Sequence, residues 1–291
     1  MPPEHCAANL DTTFVTLGSA KVAMLGVIQG ISELLPISST AHMRAVPAFL
    51  GWPDPGSAFS AAMQLAALGA VIVYFWTDIR LLVCGSVAAI VRRRWEDHEL
   101  RLGAAIVIAT VPIGIAGLLL SNALNQCDSP LRTPTVVGLA CFVMALLMGV
   151  AELVARHKRS ADDLTFWDAL LIGLAQVGAL VPGFSRSGST LTGALALGFR
   201  RTDAARVAFL LGIPAIALAG GHELLLLYRA GLPSEGWYVL CVGLVVSSLS
   251  AYIAIWGLMR FLQSFSTWPL IVYRALFGLA LVGAAASGWI N

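Results

Sequence analysis

Residues 26–42 read Gly-Val-Ile-Gln-Gly-Ile-Ser-Glu-Leu-Leu-Pro-Ile-Ser-Ser-Thr-Ala-His, and residues 173–190 read Gly-Leu-Ala-Gln-Val-Gly-Ala-Leu-Val-Pro-Gly-Phe-Ser-Arg-Ser-Gly-Ser-Thr. Each lies inside a segment, 18–50 and 165–199, made of two short apolar stretches broken by a Pro/Ser-rich polar centre. At membrane depth such a break survives only where protein or a water-filled cavity satisfies the freed backbone. Both segments therefore read as re-entrant helix–turn–helix hairpins. They also resemble each other. Gly26 to Gln29, followed by Pro36 and Ser39-Thr40, matches Gly173 to Gln176, followed by Pro182 and Ser185-Arg186-Ser187. Gln29 and Gln176 are 147 residues apart in a chain of 291, so the match divides the chain into halves.

The surroundings are those of a membrane protein. The chain is 58% hydrophobic and 12% charged, with mean hydropathy +0.83, against about 45–50% apolar and about 25% charged for soluble domains. That excludes a soluble enzyme and a disordered chain, and a net charge of +2 is too small for a nucleic-acid binder. The five cysteines, Cys6, Cys84, Cys127, Cys141 and Cys241, are odd in number and scattered, which argues against a disulfide framework or a zinc site. Residues 1–18 hold Glu4, His5 and Asp11 and no apolar run, so no cleavable signal peptide is expected.

Six apolar runs are long enough to span: 58–76, 102–120, 134–155, 207–227, 237–259 and 268–290. The run 79–91 is short and reads as a continuation or surface helix. Ten of the 18 Lys/Arg fall in three clusters, around Arg92–Arg94 and Arg101, around Arg156–Arg159, and around Arg200–Arg206. Positive loops stay cytoplasmic. Hairpin 18–50 then enters from outside, hairpin 165–199 from inside, and three spans follow each. The expected fold is an all-α integral-membrane protein with an inverted-topology repeat, about six transmembrane helices plus two hairpins. Residues 1–291 form a single membrane domain, with repeat halves 18–155 and 165–290. Inverted repeats with broken helices place a shared site near the midplane.

The two polar centres supply its chemistry. Gln29 and Glu33 are four apart and share a helix face that Pro36 ends. Three hydroxyls, Ser38, Ser39 and Thr40, and then His42, follow. A glutamate in an apolar run is costly and is a functional-site hypothesis by default. In the second centre Gly183 and Gly188 allow close backbone approach, and Arg186 is a forked cation suited to phosphate oxygens. Together the set suits phosphoryl transfer: Glu33 for a divalent cation, Arg186 for phosphate charge, and His42 or Ser39 for proton transfer or attack. The competing structural readings are an Arg186–Glu33 latch, a turn-bonding His42, and helix N-caps at Ser38 and Ser39. Glu152 and Arg44 read as near-interface groups.

Both motifs resemble those of the undecaprenyl-diphosphate phosphatase family, the bacitracin-resistance (UppP/BacA) family. The first corresponds to Gln29, Glu33, Pro36, Ser38, Ser39, Thr40 and His42, and the second to Pro182, Gly183, Ser185, Arg186, Ser187, Gly188 and Thr190. Phe59 to Gln64-Leu65 and Phe209 to Pro214 add to the match. Gln29 stands where many members carry a first glutamate. The resemblance implies hydrolysis of a C55 polyprenyl diphosphate to the monophosphate carrier lipid and phosphate, by a multi-pass protein of the bacterial inner membrane whose site faces the periplasm. It implies Glu33, Ser39, His42 and Arg186 as catalytic residues. Gln29, Ser38, Thr40, Gly183, Ser185, Ser187, Gly188 and Thr190 would meet substrate. Glu33 and Gln29 would hold Mg²⁺ or Ca²⁺. Partners would be the lipid substrate and the bilayer, with a homodimer left open and no nucleic acid. Acid-phosphatase-like lipid phosphatases are rejected, because Thr192 stands where their SRx5H motif has histidine. A transporter or flippase of polyprenyl phosphate is the rival reading, since inverted repeats suit transport too.

Overall fold

A computed structural model describes residues 12–124 and 130–290. The expectations placed on Cys6, Cys127, Glu4, His5 and Asp11 lie outside the described residues. The described residues form eleven α-helices: α1 (Phe14–Leu34), α2 (Ser39–Leu50), α3 (Ser57–Tyr74), α4 (Trp76–Val91), α5 (His98–Leu124), α6 (Pro134–Val154), α7 (Phe166–Val177), α8 (Arg186–Ala196), α9 (Arg201–Arg229), α10 (Ser234–Ser264) and α11 (Trp268–Ala286). Six helices are long and apolar enough to cross a membrane, within α1, α5, α6, α9, α10 and α11. The fold is all-α and integral to the membrane.

The span list differs from the sequence expectation at one pair. Residues 58–74 join α4 through an 80° bend at Phe75, so 58–76 and 79–91 form one broken element. In exchange, α1 is longer than the short hairpin arm expected. Gly18 breaks it with φ 73° and ψ 167°, which leaves Ser19–Leu34 continuous, or about 24 Å of helix against about 30 Å of hydrocarbon.

Local chemistry sets the helix ends. Leu35, before Pro36, is extended at φ −73° and ψ 143° and closes α1. Thr133 caps α6 and Pro134 opens it. Thr165 and Asp168 form a capping box on α7.

The helix pairing is that of two exchanged halves. Among the most extensive helix contacts, α1 lies along α10 as α7 lies along α5, α6 packs on α11, and α3 packs on α9. Swapping the halves maps this set onto itself. The closest approaches repeat as well. A Cβ on Gly26 would lie 2.8 Å from the Gly243 carbonyl oxygen of α10, and one on Gly173, 147 residues on, 2.5 Å from the Ala109 carbonyl oxygen of α5. Only glycine lets the hairpin arms seat this closely at both places.

At the arginine-rich end, Glu152 is buried. It accepts hydrogen bonds from Arg201 Nε at 2.7 Å and Thr267 Oγ1 at 2.8 Å, joining the end of α6 to the starts of α9 and α11.

Candidate active site

The two hairpin turns meet. Ser38 (φ 75°) and Ser185 (φ 66°) are non-glycine residues in the left-handed region, 147 residues apart, and each caps the short helix that follows it. Their hydroxyls accept from Ala41 N and Gly188 N respectively. Such strain persists only where the surroundings over-determine it, and it gathers at functional sites. The next residues, Ser39 and Arg186, are again 147 apart and open α2 and α8. Both reach the same carboxylate. Ser39 Oγ donates to Glu33 Oε2 at 2.6 Å, and Arg186 Nη2 donates to Glu33 Oε1 at 2.7 Å. Gln29 Nε2 adds a bond to Oε2 at 3.0 Å from one turn back on α1. Arg186 Nη1 is held by the Gly212 carbonyl of α9 at 2.9 Å. Glu33 is 5% exposed, so its charge is matched by the guanidinium and satisfied by the hydroxyl and the amide, as a buried carboxylate requires.

These groups line a cavity of about 300 Å³. Its polar wall carries Glu33, Ser39, Thr40, Ser185 and Arg186, with Ser60 and Gln64 of α3. Its apolar wall is Ile113, Leu180, Ala215, Ile216 and Ala219. A larger groove of about 960 Å³ between α1, α10 and α11 lies past Leu35 and Ile37 and carries no charged side chain among its lining residues. It has nothing with which to meet a phosphate, so the smaller polar cavity is the candidate site.

His42 does not line this cavity. Its Nδ1 lies 2.7 Å from the Ser38 carbonyl oxygen and its Nε2 2.8 Å from the Tyr273 hydroxyl, with Phe277 stacked on the ring at 4.1 Å between centroids. A carbonyl can only accept, so Nδ1 carries the proton and Nε2 accepts from Tyr273. Both nitrogens are thereby engaged away from Glu33, and the ring braces the Ser38–Ser39 turn against α11. Several other expected substrate contacts are also committed within the protein. The Gly183 carbonyl accepts from Arg274 and its φ is 101°; Ser187 Oγ donates to the Glu33 and Leu35 carbonyls; Gly188 N bonds Ser185; Thr190 Oγ1 donates to the Arg186 carbonyl. Ser38 caps α2. Thr40 and Ser185 do face the cavity, and Gln29 touches it through Glu33.

The sequence reading missed Arg274. It is 0% exposed on α11 and donates to the carbonyls of Pro36 (2.8 Å) in the first turn, Gly183 (2.6 Å) and Phe184 (2.5 Å) in the second, and Cys141 (3.2 Å) on α6. It ties both turns together and satisfies backbone freed by their irregular geometry. The signal was present, an arginine inside the apolar run 268–290. Arg44, Asp54 and Arg132 at the cavity mouth were missed too, because only the fold brings them together.

The donors fit a divalent cation only in part. Among the described residues no three His, Cys, Asp or Glu side chains converge. Mg²⁺, however, is usually bound by one or two carboxylates together with substrate phosphates and water; Glu33 supplies one carboxylate, whereas Gln29 presents its Nε2 to Glu33 and its amide would have to turn over to offer oxygen to a cation.

A sequence profile described as bacitracin resistance protein BacA matches residues 22–280. The chain is 61% identical to undecaprenyl-diphosphatase 2 of Mesorhizobium japonicum over 263 residues, 90% of this chain and 100% of that one. It is 46% identical to the undecaprenyl-diphosphatase of Trichormus variabilis, over 91% of this chain and 83% of that one. It is also 46% identical to that of Gloeobacter violaceus, over 94% and 93%. With both signature turns meeting at one carboxylate and the match running through nearly the whole chain, the protein belongs to the BacA bacitracin-resistance family.

Proposed function

We propose that the protein hydrolyses undecaprenyl diphosphate to undecaprenyl phosphate and inorganic phosphate in the cavity between the hairpin turns. The observation that carries this reading is Glu33, held at once by the Ser39 hydroxyl of one half and the Arg186 guanidinium of the other. A hydroxyl 2.6 Å from a carboxylate has the geometry of a nucleophile beside its base, which supports Ser39 and Glu33 in those roles. Ser39 Oγ attacks the terminal phosphorus as its proton passes to Glu33. The bond from that phosphorus to the bridging oxygen breaks, and undecaprenyl phosphate leaves with the electron pair. Water then cleaves the phosphoserine while Glu33 returns the proton to Ser39. Arg186 swings from Glu33 to the phosphoryl oxygens, where a forked cation stabilises the charge of the transition state. His42 and Arg274 act as positioning residues that hold the turns. The apolar wall at Ile113, Leu180 and Ile216 takes the first prenyl units.

A divalent cation, Mg²⁺ or Ca²⁺, is part of the proposal. Glu33 and Gln29 would hold it together with the diphosphate, and it would neutralise charge on the departing phosphate. The protein is placed in the bacterial inner membrane with its cavity towards the periplasm. The support is that Asp54 and Arg132, at the mouth, lie at the opposite helix ends from the arginine clusters 92–101 and 156–159. There it would return carrier lipid to peptidoglycan and other cell-wall polymer synthesis, in keeping with the family's bacitracin resistance. Transport alone does not call for a paired base and nucleophile. The test is phosphate release from undecaprenyl diphosphate by purified protein in detergent, where no transport can be scored. The wild type releases phosphate and Glu33→Gln does not. Equal release by both would refute the proposal.

A further inference from the structure

The charges inside the cavity cancel, Arg186 against Glu33. Among the described residues, those at its mouth do not. Arg44 sits on α2 five residues beyond Ser39, about 7.5 Å along the helix axis. Its Nη2 pairs with Asp54 Oδ2 at 3.0 Å, and its Nη1 donates to the Arg132 carbonyl, docking the segment before α6 onto α2. Asp54 is fixed by its own loop, since its Oδ1 accepts from Gly56 N at 2.9 Å. All three side chains line the same cavity as Ser39 and Arg186. Among the described residues Arg132 makes no ion pair, so the described residues at the mouth hold two guanidinium groups and one carboxylate.

A terminal phosphoryl group brings about 1.5 to 2 negative charges near neutral pH. The single guanidinium inside, already matched by Glu33, cannot balance a whole diphosphate. A guanidinium at the mouth that Asp54 does not neutralise adds positive charge to that of Arg186 and the proposed cation, and its forked geometry suits phosphoryl oxygens. We propose that Arg44 and Arg132 form a second phosphate subsite at the cavity mouth, which engages the terminal phosphoryl group of the prenyl diphosphate. Asp54 is the internal counterion that the phosphoryl group displaces from Arg44. The inference rests on the reading of the cavity as the diphosphate site. It adds that the terminal phosphate is gripped from the aqueous side, so released orthophosphate leaves past the same two arginines.

The experiment measures KM and kcat for undecaprenyl diphosphate, and the inhibition constant of inorganic pyrophosphate, in phospholipid-free detergent. Arg132→Gln, at a half-buried side chain whose guanidinium no ion pair holds, raises KM and the pyrophosphate inhibition constant about tenfold, and the loss falls on KM rather than kcat. Asp54→Asn lowers the inhibition constant several-fold, because it removes a competing anion. A merely structural Arg44–Asp54 pair would move it the other way. Unchanged constants in Arg132→Gln, or weaker pyrophosphate binding in Asp54→Asn, would overturn the subsite. Competition by phosphatidylglycerol with no response to pyrophosphate would assign the arginines to a bilayer headgroup and overturn it as well. Wild-type protein that releases no phosphate would instead refute the underlying reading of the cavity.

Discussion

A carboxylate in an apolar bundle is stable only when its charge is answered, and Glu33 is answered by groups that are themselves chemically useful. In the proposed reaction the same groups that satisfy it at rest take part in phosphoryl transfer. Glu33→Gln keeps the shape and removes both the charge and the base. It is expected to lower the rate of phosphate release at least about 100-fold, or about 2.7 kcal/mol, and a steady-state assay checks this. Arg186→Lys replaces a fork with a point charge and is expected to cost at least about tenfold, about 1.4 kcal/mol, in the same assay. Excess chelator is expected to abolish wild-type release, and undiminished release would remove the cation. At this scale Glu33, Ser39 and Arg186 were legible because ionisable and hydroxyl groups stand out in apolar sequence. The orientation of His42 was not, because it depends on Tyr273 and Phe277, some 231 residues away along the chain.

The hairpins are the elements that make the site, and they are built the same way twice. Each has an arm seated on a partner helix at a glycine, a left-handed serine cap, and a residue bonded to Glu33 at the first position of the following helix. One copy places Ser39 there and the other Arg186, so a matching backbone carries two different side chains to one carboxylate. The motif match exposed this repeat in the sequence. The true length of α1 and the bend at Phe75 were hidden, because a kink at Gly18 and an 80° turn between two apolar helices leave little trace in hydropathy. Arg274 holds the two turns together. Arg274→Leu leaves the carbonyls of Pro36, Gly183 and Phe184 without their donor and is expected to destabilise by about 3–5 kcal/mol. Thermal unfolding in detergent would show the lowered midpoint, and a midpoint equal to wild type would leave Arg274 without this role.

The whole molecule is a bundle of apolar helices with a polar cavity where the two hairpin turns meet. Charge clusters at one end and the cavity mouth at the other give it a direction. A cysteine placed at Asp97 in a cysteine-free background is expected to react only with cytoplasmic reagent, and one at Asp54 from the periplasm. The arginine loops are the sequence signal for this orientation, whereas the mouth was not legible, since Arg44, Asp54 and Arg132 come from three separated segments. The proposed reaction has the two halves work on one diphosphate, and positioning of this kind supplies much of the rate in phosphoryl transfer. The measurement that bears on this most directly is a double-mutant cycle on phosphate release with Ser39→Ala, Arg186→Lys and the pair. If both residues serve one transition state, Ser39→Ala alone abolishes nearly all activity and the double variant falls within about threefold of it. If Ser39→Ala keeps most of its activity, or the two losses multiply in the double variant, the residues act independently and the shared site is wrong.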